Sequence, residues 1–163
     1  MVNVVYSIDT AALMTWYIRR YPPEVFPSIV PRMEQLIRDG RLRASEYVLT
    51  ELGGKKDPLY DWASAQQSFF VKTDAQVLGR AVQLTAQYPL LTDPSALRPV
   101  QADPYVVALA ASNNWVVVTQ ETYAKTKTSG RRKQRTYIPD VCLAENIRCI
   151  DFLEMMRREK WAF

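Results

Sequence analysis

The sequence predicts an α/β domain with a central, mainly parallel sheet flanked by helices, and three observations carry that expectation. Short apolar segments, Val4-Val5-Tyr6-Ser7-Ile8 and Trp115-Val116-Val117-Val118, read as strands buried on both faces. Helix-like stretches alternate with them, the pattern of a parallel sheet covered on both sides. The first strand stops at Asp9, which places a charge at the carboxyl edge of the sheet, where open α/β sheets bind their ligands.

The elements follow in order. Residues 3–8 form the first strand, and residues 10–20 a helix carrying Ala11, Ala12, Leu13, Trp16, Tyr17 and Ile18, stopped by Tyr21-Pro22-Pro23. A second helix runs over about 28–39, with Ile29, Met33, Leu36 and Ile37 on one face and Gly40 beyond its end. Residues 42–44 form a brief strand. Ser45 caps a short helix to Leu52, which Gly53-Gly54 ends. Asp57-Pro58 supplies N-cap and first turn of a helix over 59–70. Asp74 caps another to about residue 88, and residues 89–100 connect, with a turn near 94–97. Asp103-Pro104 opens an apolar helix to about 112; Asn113-Asn114 turns the chain into a strand over 115–119. A helix over 138–145, a strand over 147–150 and a helix over 151–160 capped by Asp151 complete the chain.

With 163 residues, 48% apolar and 23% charged, the chain is globular and long enough for one domain over residues 1–163. No apolar run approaches a membrane span and no signal peptide is visible, so the expected location is cytoplasmic, with no membrane partner. There is no histidine, and Cys142 and Cys149 are the only cysteines. Histidine-based acid–base catalysis, catalytic triads, Cys-His nucleophiles and His-ligated zinc are thereby excluded. Cys142 and Cys149 read as small buried apolar residues. Chemistry must rest on carboxylates, hydroxyls, lysines or a hard metal.

Four acids stand where strands leave the sheet or helices begin. Asp9 follows the first strand, Glu51 lies on the helix after the second, Asp103 starts the apolar helix, and Glu121 follows the 115–119 strand. Each has a plainer explanation. Asp9 and Asp103 suit helix caps, as Asp57-Pro58 and Asp93-Pro94 do; Glu51 suits a helix surface, and Glu121 a loop. Clustered, three or four carboxylates would bind Mg²⁺ or Mn²⁺, which prefer oxygen ligands. Thr10 and Thr119 stand ready to hydrogen-bond a ligand carboxylate.

Ile8-Asp9-Thr10, Val48-Leu49-Thr50-Glu51-Leu52, Ala102-Asp103-Pro104-Tyr105-Val106-Val107-Ala108-Leu109-Ala110 and Val116-Val117-Val118-Thr119-Gln120-Glu121 together resemble the PIN-domain ribonucleases, VapC-like toxins among them. The order covers essentially the whole chain. Ile138-Pro139-Asp140-Val141-Cys142 and Ile147-Arg148-Cys149-Ile150 resemble one PIN-like bacterial toxin branch more closely still. The resemblance implies a three-layer PIN-like domain and a Mg²⁺- or Mn²⁺-dependent endoribonuclease, with Asp9, Glu51, Asp103 and Glu121 as metal-binding, catalytic acids. It implies metal-activated water and products with a 3′-hydroxyl and a 5′-phosphate. It further implies RNA (tRNA, rRNA or mRNA) as substrate, a toxin role with a protein antitoxin, and a homodimer. The fourth acid departs from the pattern, a Thr-x-Asp in many PIN domains, and Asp140 is the other candidate for it. A degenerate PIN-like module that binds RNA or protein without cutting is the alternative reading. Haloacid-dehalogenase-like chemistry lacks its second aspartate, since Ala11 occupies that position.

Residues 125–135 hold Lys125, Lys127, Arg131, Arg132, Lys133 and Arg135 with no acid, inside a basic loop insertion at about 124–136. The other 15 basic residues face 17 acids, so the net charge of +4 resides in this segment. Next to Glu121, it reads as an RNA-backbone contact, or equally as a dock for an acidic antitoxin segment; the plain alternative is a solvated insertion. The aromatics Trp16, Tyr17, Tyr21, Tyr60, Trp62, Phe69 and Phe70 read as core or interface, and Trp161 and Phe163 as packing back onto the sheet.

Overall fold

The computed structural model describes residues 3–97 and 100–163, so Arg98 and Pro99 of the 89–100 connection lie outside the described residues. Five strands, β1 (Tyr6–Ile8), β2 (Leu42–Ser45), β3 (Phe70–Val71), β4 (Val116–Val118) and β5 (Cys149–Ile150), form one sheet in the order β3-β2-β1-β4-β5. Every pairing is parallel, with Tyr6 opposite both Leu42 and Val116. The chain moves outward from β1 to β2 and β3, then returns to the other side of β1 for β4 and β5. That reversal makes the carboxyl ends of β1 and β4 a switch point, where the connections diverge and leave a crevice.

The helices are α1 (Thr10–Met14), continued by a π-helical segment over Thr15–Arg20, α2 (Ile29–Arg38), α3 (Glu46–Leu52), α4 (Pro58–Ser64), α5 (Ala75–Gln87), α6 (Asp103–Asn113), α7 (Gly130–Lys133), α8 (Ile138–Ala144) and α9 (Phe152–Arg158). Strand alternation assigns them to layers. The Ser7 hydroxyl donates to the Val106 carbonyl of α6 at 3.0 Å, so Ser7 faces α6. Tyr6 points the other way, and its hydroxyl donates to Glu159 at the end of α9 at 2.7 Å. Helix α6 spans β2, β1 and β4 and packs on α5 and α8. On the opposite face Trp16 is fully buried, edge-on to Trp62 of α4 at 4.7 Å and stacked with Phe152 of α9 at 6.3 Å. The expected three-layer architecture, a parallel sheet flanked by helices on both faces, is the observed one. No helix among the described residues is long and apolar enough to cross a membrane.

The structure corrects several expectations. The helix expected over 59–70 ends at Ser64. Ser68 turns with φ 61°, and Phe70–Val71 pair in parallel with Ala44 and Ser45 as a third strand. Gln66 and Gln67 break the apolar periodicity there, while the aromatic and β-branched residues after them suit a strand. Strands β1, β4 and β5 are shorter than expected, and the helix over 10–20 is π-wound in its second half. The basic insertion is not wholly loop: Ser129 caps α7 inside it by accepting from the Arg132 N–H at 3.2 Å. Trp161 packs back against the core as expected whereas Phe163 is exposed; Arg32 of α2 lies over both rings, at 6.0 and 5.1 Å, and Phe26 meets Phe163 edge-on. Cys142 is buried as expected but Cys149 only half so; a hydrogen bond with Cys149, then burial, pushes the Cys142 thiol far up.

At the amino end of the sheet a polar clamp closes the core. Arg41 forks onto both Glu159 oxygens at 2.9 and 2.5 Å, its Nε donates to the Val4 carbonyl at 3.0 Å, and Tyr6 shares the same carboxylate.

Candidate active site

At the opposite, carboxyl edge lies a cavity of about 620 Å³, lined by Asp9, Glu51, Asp103 and Glu121. Topology explains the meeting: Asp9 ends β1, Glu51 lies on the helix after β2, Glu121 follows β4, and α6 begins with Asp103 beneath the same edge.

Asp9 is 2% exposed, and both of its oxygens are engaged. Oδ1 accepts the Ala12 N–H at 2.7 Å, the helix cap foreseen from sequence. Oδ2 accepts the hydroxyl of Thr119, which is also buried. The Thr119 oxygen in turn accepts the Glu121 N–H at 3.0 Å, so one hydroxyl ties the end of β1 to the loop that carries the fourth acid. Glu51 Oε1 accepts the Thr10 hydroxyl at 2.6 Å, and Oε2 receives a long contact from the Ala102 N–H at 3.5 Å.

Asp103 is not a cap. It is the first residue of α6; Ala102 occupies the N-cap position and makes no side-chain cap. The neighbouring Asp-Pro pairs do serve local structure, Asp57 by accepting from the Tyr60 N–H and Asp93 from Ser95. Asp103 instead shares a hydrogen bond with the Glu121 carboxylate, whose Oε2 also accepts the Ile138 N–H at 2.9 Å. Asp140 has other duties: Oδ2 accepts the Tyr137 N–H at 2.9 Å at the start of α8, and its carboxylate holds the Ala124 N–H. It is absent from the cavity lining.

The electrostatics follow from burial and like charge. Burial, then the Glu121 charge, push Asp9 up to about 7, against the Thr119 and Ala12 hydrogen bonds. Asp103 is held well above the usual carboxylate range by burial and by the charges of Glu121, Asp9 and Glu51. Glu121 is raised by burial, offset in part by the Ile138 N–H, the Asp103 hydrogen bond, Arg135 and Lys127. Burial and mutual repulsion thus favour the protonated forms of Asp9, Asp103 and Glu121 over the ordinary carboxylates.

Of the six basic residues over 125–135, Arg135 lines the cavity and the other five do not. Lys127 and Arg135 lie over the Tyr137 ring at 4.3 and 5.5 Å, and Lys125 over Tyr123 at 5.5 Å. Arg131, Arg132 and Lys133 stand exposed on α7. Sequence reasoning missed two further cavity cations, Arg19 and Lys55, and the pairing that pins the rim. There Gln101 accepts the Asp93 N–H and returns a hydrogen bond to the Asp93 carbonyl, both at 2.7 Å. Nothing in the local pattern marks them: Arg19 is one of two arginines ending an aromatic-rich helix, and Lys55 one of two lysines after a Gly-Gly turn.

The model of a family described as "Domain of unknown function (DUF4411)" matches residues 6–163. No curated protein matches the chain. Among solved structures, VapBC2 from Rickettsia felis bound to a DNA fragment from their promoter is similar over 91% of this chain and 99% of that chain, at 14% identity and a TM-score of 0.49. PAE2754 from Pyrobaculum aerophilum is similar over 95% of this chain and 96% of that one, at 16% identity and a TM-score of 0.45.

Proposed function

The chain belongs to the DUF4411 family, and we infer that it is a divalent-metal-dependent endoribonuclease of the PIN type, the toxin of a toxin–antitoxin pair. The convergence of Asp9, Glu51, Asp103 and Glu121 on one cavity, from four separate elements, carries this reading. Like charges gathered at a sheet edge oppose one another, and a bound cation removes that cost.

The donor set fits Mg²⁺ or Mn²⁺. It is all oxygen, and each carboxylate oxygen that accepts one hydrogen bond keeps a second lone pair. Among the described residues no group of three or more His, Cys, Asp or Glu is arranged as a metal site as it stands. A cation held by these acids would stand in for the proton that Asp103 and Glu121 share. When bound, the cation supplies Lewis acidity toward a water and a phosphodiester oxygen. The protein's part is positional. Thr119 holds Asp9, Thr10 holds Glu51, and the Ile138 N–H holds Glu121. Glu121 serves as the fourth acid in this reading, because Asp140 is spent on capping. Arg131, Arg132 and Lys133 hold the RNA backbone beside the cavity, with Lys125, Lys127 and Arg135 nearer the tyrosines. An acidic antitoxin segment would compete for the same cations, and the homodimer and cytoplasmic location belong to the same reading through the motif resemblance.

The test is incubation of wild type, Asp9→Asn and Asp103→Asn with tRNA and rRNA plus Mn²⁺. Cleavage by wild type alone supports the reading; equal cleavage by all three sinks it. Wild-type protein that binds RNA, takes up no Mn²⁺ and cuts nothing belongs to the binding-module alternative.

A further inference from the structure

The helix that starts at Thr10 changes its winding at Thr15, with a chemical result. Over Thr15–Arg20 it is π-helical, and the Tyr21 N–H reaches the Trp16 carbonyl five residues back at 3.2 Å. In an α-helix, residues five apart are displaced by about 140° around the axis. An i→i+5 turn brings them much nearer one face, and such turns recur at functional sites. Met14 lines the acid-floored cavity, and so does Arg19, five positions later. The wider turn delivers a guanidinium to the cavity wall.

Lys55, between α3 and α4, lines the same cavity. Among the described residues neither Arg19 nor Lys55 has an ion-pair partner. Lys55 follows β2 whereas Arg135 follows β4, and β1 with Asp9 lies between those strands. The acids therefore have cations on both sides. Past Lys55 a second cavity of about 430 Å³ opens, sharing Lys55, Asp57 and Leu59 with the first and walled by Tyr17, Ile18 and Pro23.

We propose that Arg19 and Lys55 hold the phosphate of a nucleotide flanking the cleaved bond, on the side of the acids away from Arg135, and that the base of that nucleotide enters the second cavity against Tyr17. The proposal rests on the ribonuclease reading of the acid cluster. Four carboxylates repel a polyanion, so a strand crossing them needs cations at entry and exit. An aromatic ring beside an apolar wall accepts any base through its π-face.

The test measures binding of single-stranded RNA oligonucleotides by fluorescence anisotropy in EDTA, so that no cleavage intervenes. Both cations are surface residues, so Arg19→Ala/Lys55→Ala stays folded. It is expected to bind about ten-fold more weakly and to lower the salt slope by about 0.7, the value of one single-strand phosphate contact. Independently of any variant, an abasic nucleotide moved along the oligonucleotide should weaken wild-type binding about ten-fold at one or two positions. That loss should shrink in Tyr17→Leu, which keeps the core filled. A double variant with the wild-type salt slope, or a flat abasic scan, overturns the subsite, including the case in which the second cavity serves a protein partner. Wild-type protein that binds no RNA in EDTA overturns the subsite, while the Mn²⁺ cleavage assay decides the ribonuclease reading separately; normal cleavage with an unchanged double variant likewise overturns the subsite alone.

Discussion

Asp103 and Glu121 share a hydrogen bond between two carboxyl groups, one at the first turn of α6 and the other just past β4. Such a pair persists only with a proton or a cation between its oxygens. Asp103→Asn supplies the donor permanently. The variant should melt at or above the wild-type temperature in EDTA at pH 8, and should lose the stabilisation that millimolar Mn²⁺ gives the wild type. At one hundred times Kd that stabilisation is about 2.7 kcal/mol. Thermal melts with and without Mn²⁺ check both halves; equal Mn²⁺ shifts in the two proteins would refute the role given to Asp103.

Asp9 gives a pH dependence whose sign is unusual for an acid. Its folded value of about 7 lies above the ordinary 3.8, so between those values the native state binds more protons than the unfolded one. Stability from this group is present at low pH and declines as pH rises from about 4 through 7. Metal-free wild type should therefore lose stability across that window, and Asp9→Asn should flatten the slope. Mn²⁺ affinity should move the opposite way, rising with pH through about 7 as the carboxyl deprotonates. Chemical denaturation in EDTA and Mn²⁺ titration, each from pH 4 to 8, measure the two trends.

Much of this was legible in the sequence because the signals were local. Ser45, Asp57, Asp74 and Asp151 cap their helices as their positions require. The four acids meet because Asp9 and Glu121 follow strands, Asp103 begins α6 and Glu51 lies in the last turn of α3 just after β2, and a parallel sheet brings those points to one edge. What stayed hidden depends on partners distant in sequence. A two-residue strand such as Phe70–Val71 exists only because β2 offers an open edge. Capping looked equally good for Asp57, Asp93 and Asp103, and only the backbone at Ala102 separates the third. Arg19 reaches the cavity through a π turn that no residue pattern announces.

Thr119 joins two of the acids through one oxygen, donating to Asp9 and accepting from the Glu121 N–H. Thr119→Val keeps the shape and removes both bonds, leaving a buried carboxylate oxygen short of a donor. A loss of about 1–3 kcal/mol is expected. Mn²⁺ affinity should fall about 10–100-fold, the usual effect of removing a hydrogen bond behind a ligand. Urea denaturation and Mn²⁺ titration test these; unchanged affinity with lowered stability would confine Thr119 to folding.

The basic segment divides by position. Arg131, Arg132 and Lys133 are exposed on α7, whereas Lys127 and Arg135 are stacked on Tyr137. Replacing the first three with alanine should leave the melting temperature unchanged and weaken RNA binding equally across sequences. The salt slope should fall by about 2, at roughly 0.7 per single-strand phosphate. Anisotropy at several salt concentrations reads this, and an unaltered slope would return α7 to a passive insertion.

The clamp at the far end of the sheet supplies the control that separates folding from chemistry. Glu159 is fixed by two nitrogens of Arg41 and by the Tyr6 hydroxyl, and its side chain is 11% exposed. Arg41→Ala leaves that carboxylate without its cation and the Val4 carbonyl without a donor. Removing one partner of a largely desolvated pair costs more than the pair contributes, because the remaining charge stays behind. A loss of about 2–4 kcal/mol in urea denaturation is expected. Arg41→Met/Glu159→Leu, which removes both charges, should recover part of it. Neither variant touches the acid cluster, so Mn²⁺ affinity and cleavage per folded molecule should match wild type. A fall in Mn²⁺ affinity would mean that the two edges of the sheet are coupled through β1, against the independence that the separate hydrogen-bond networks imply.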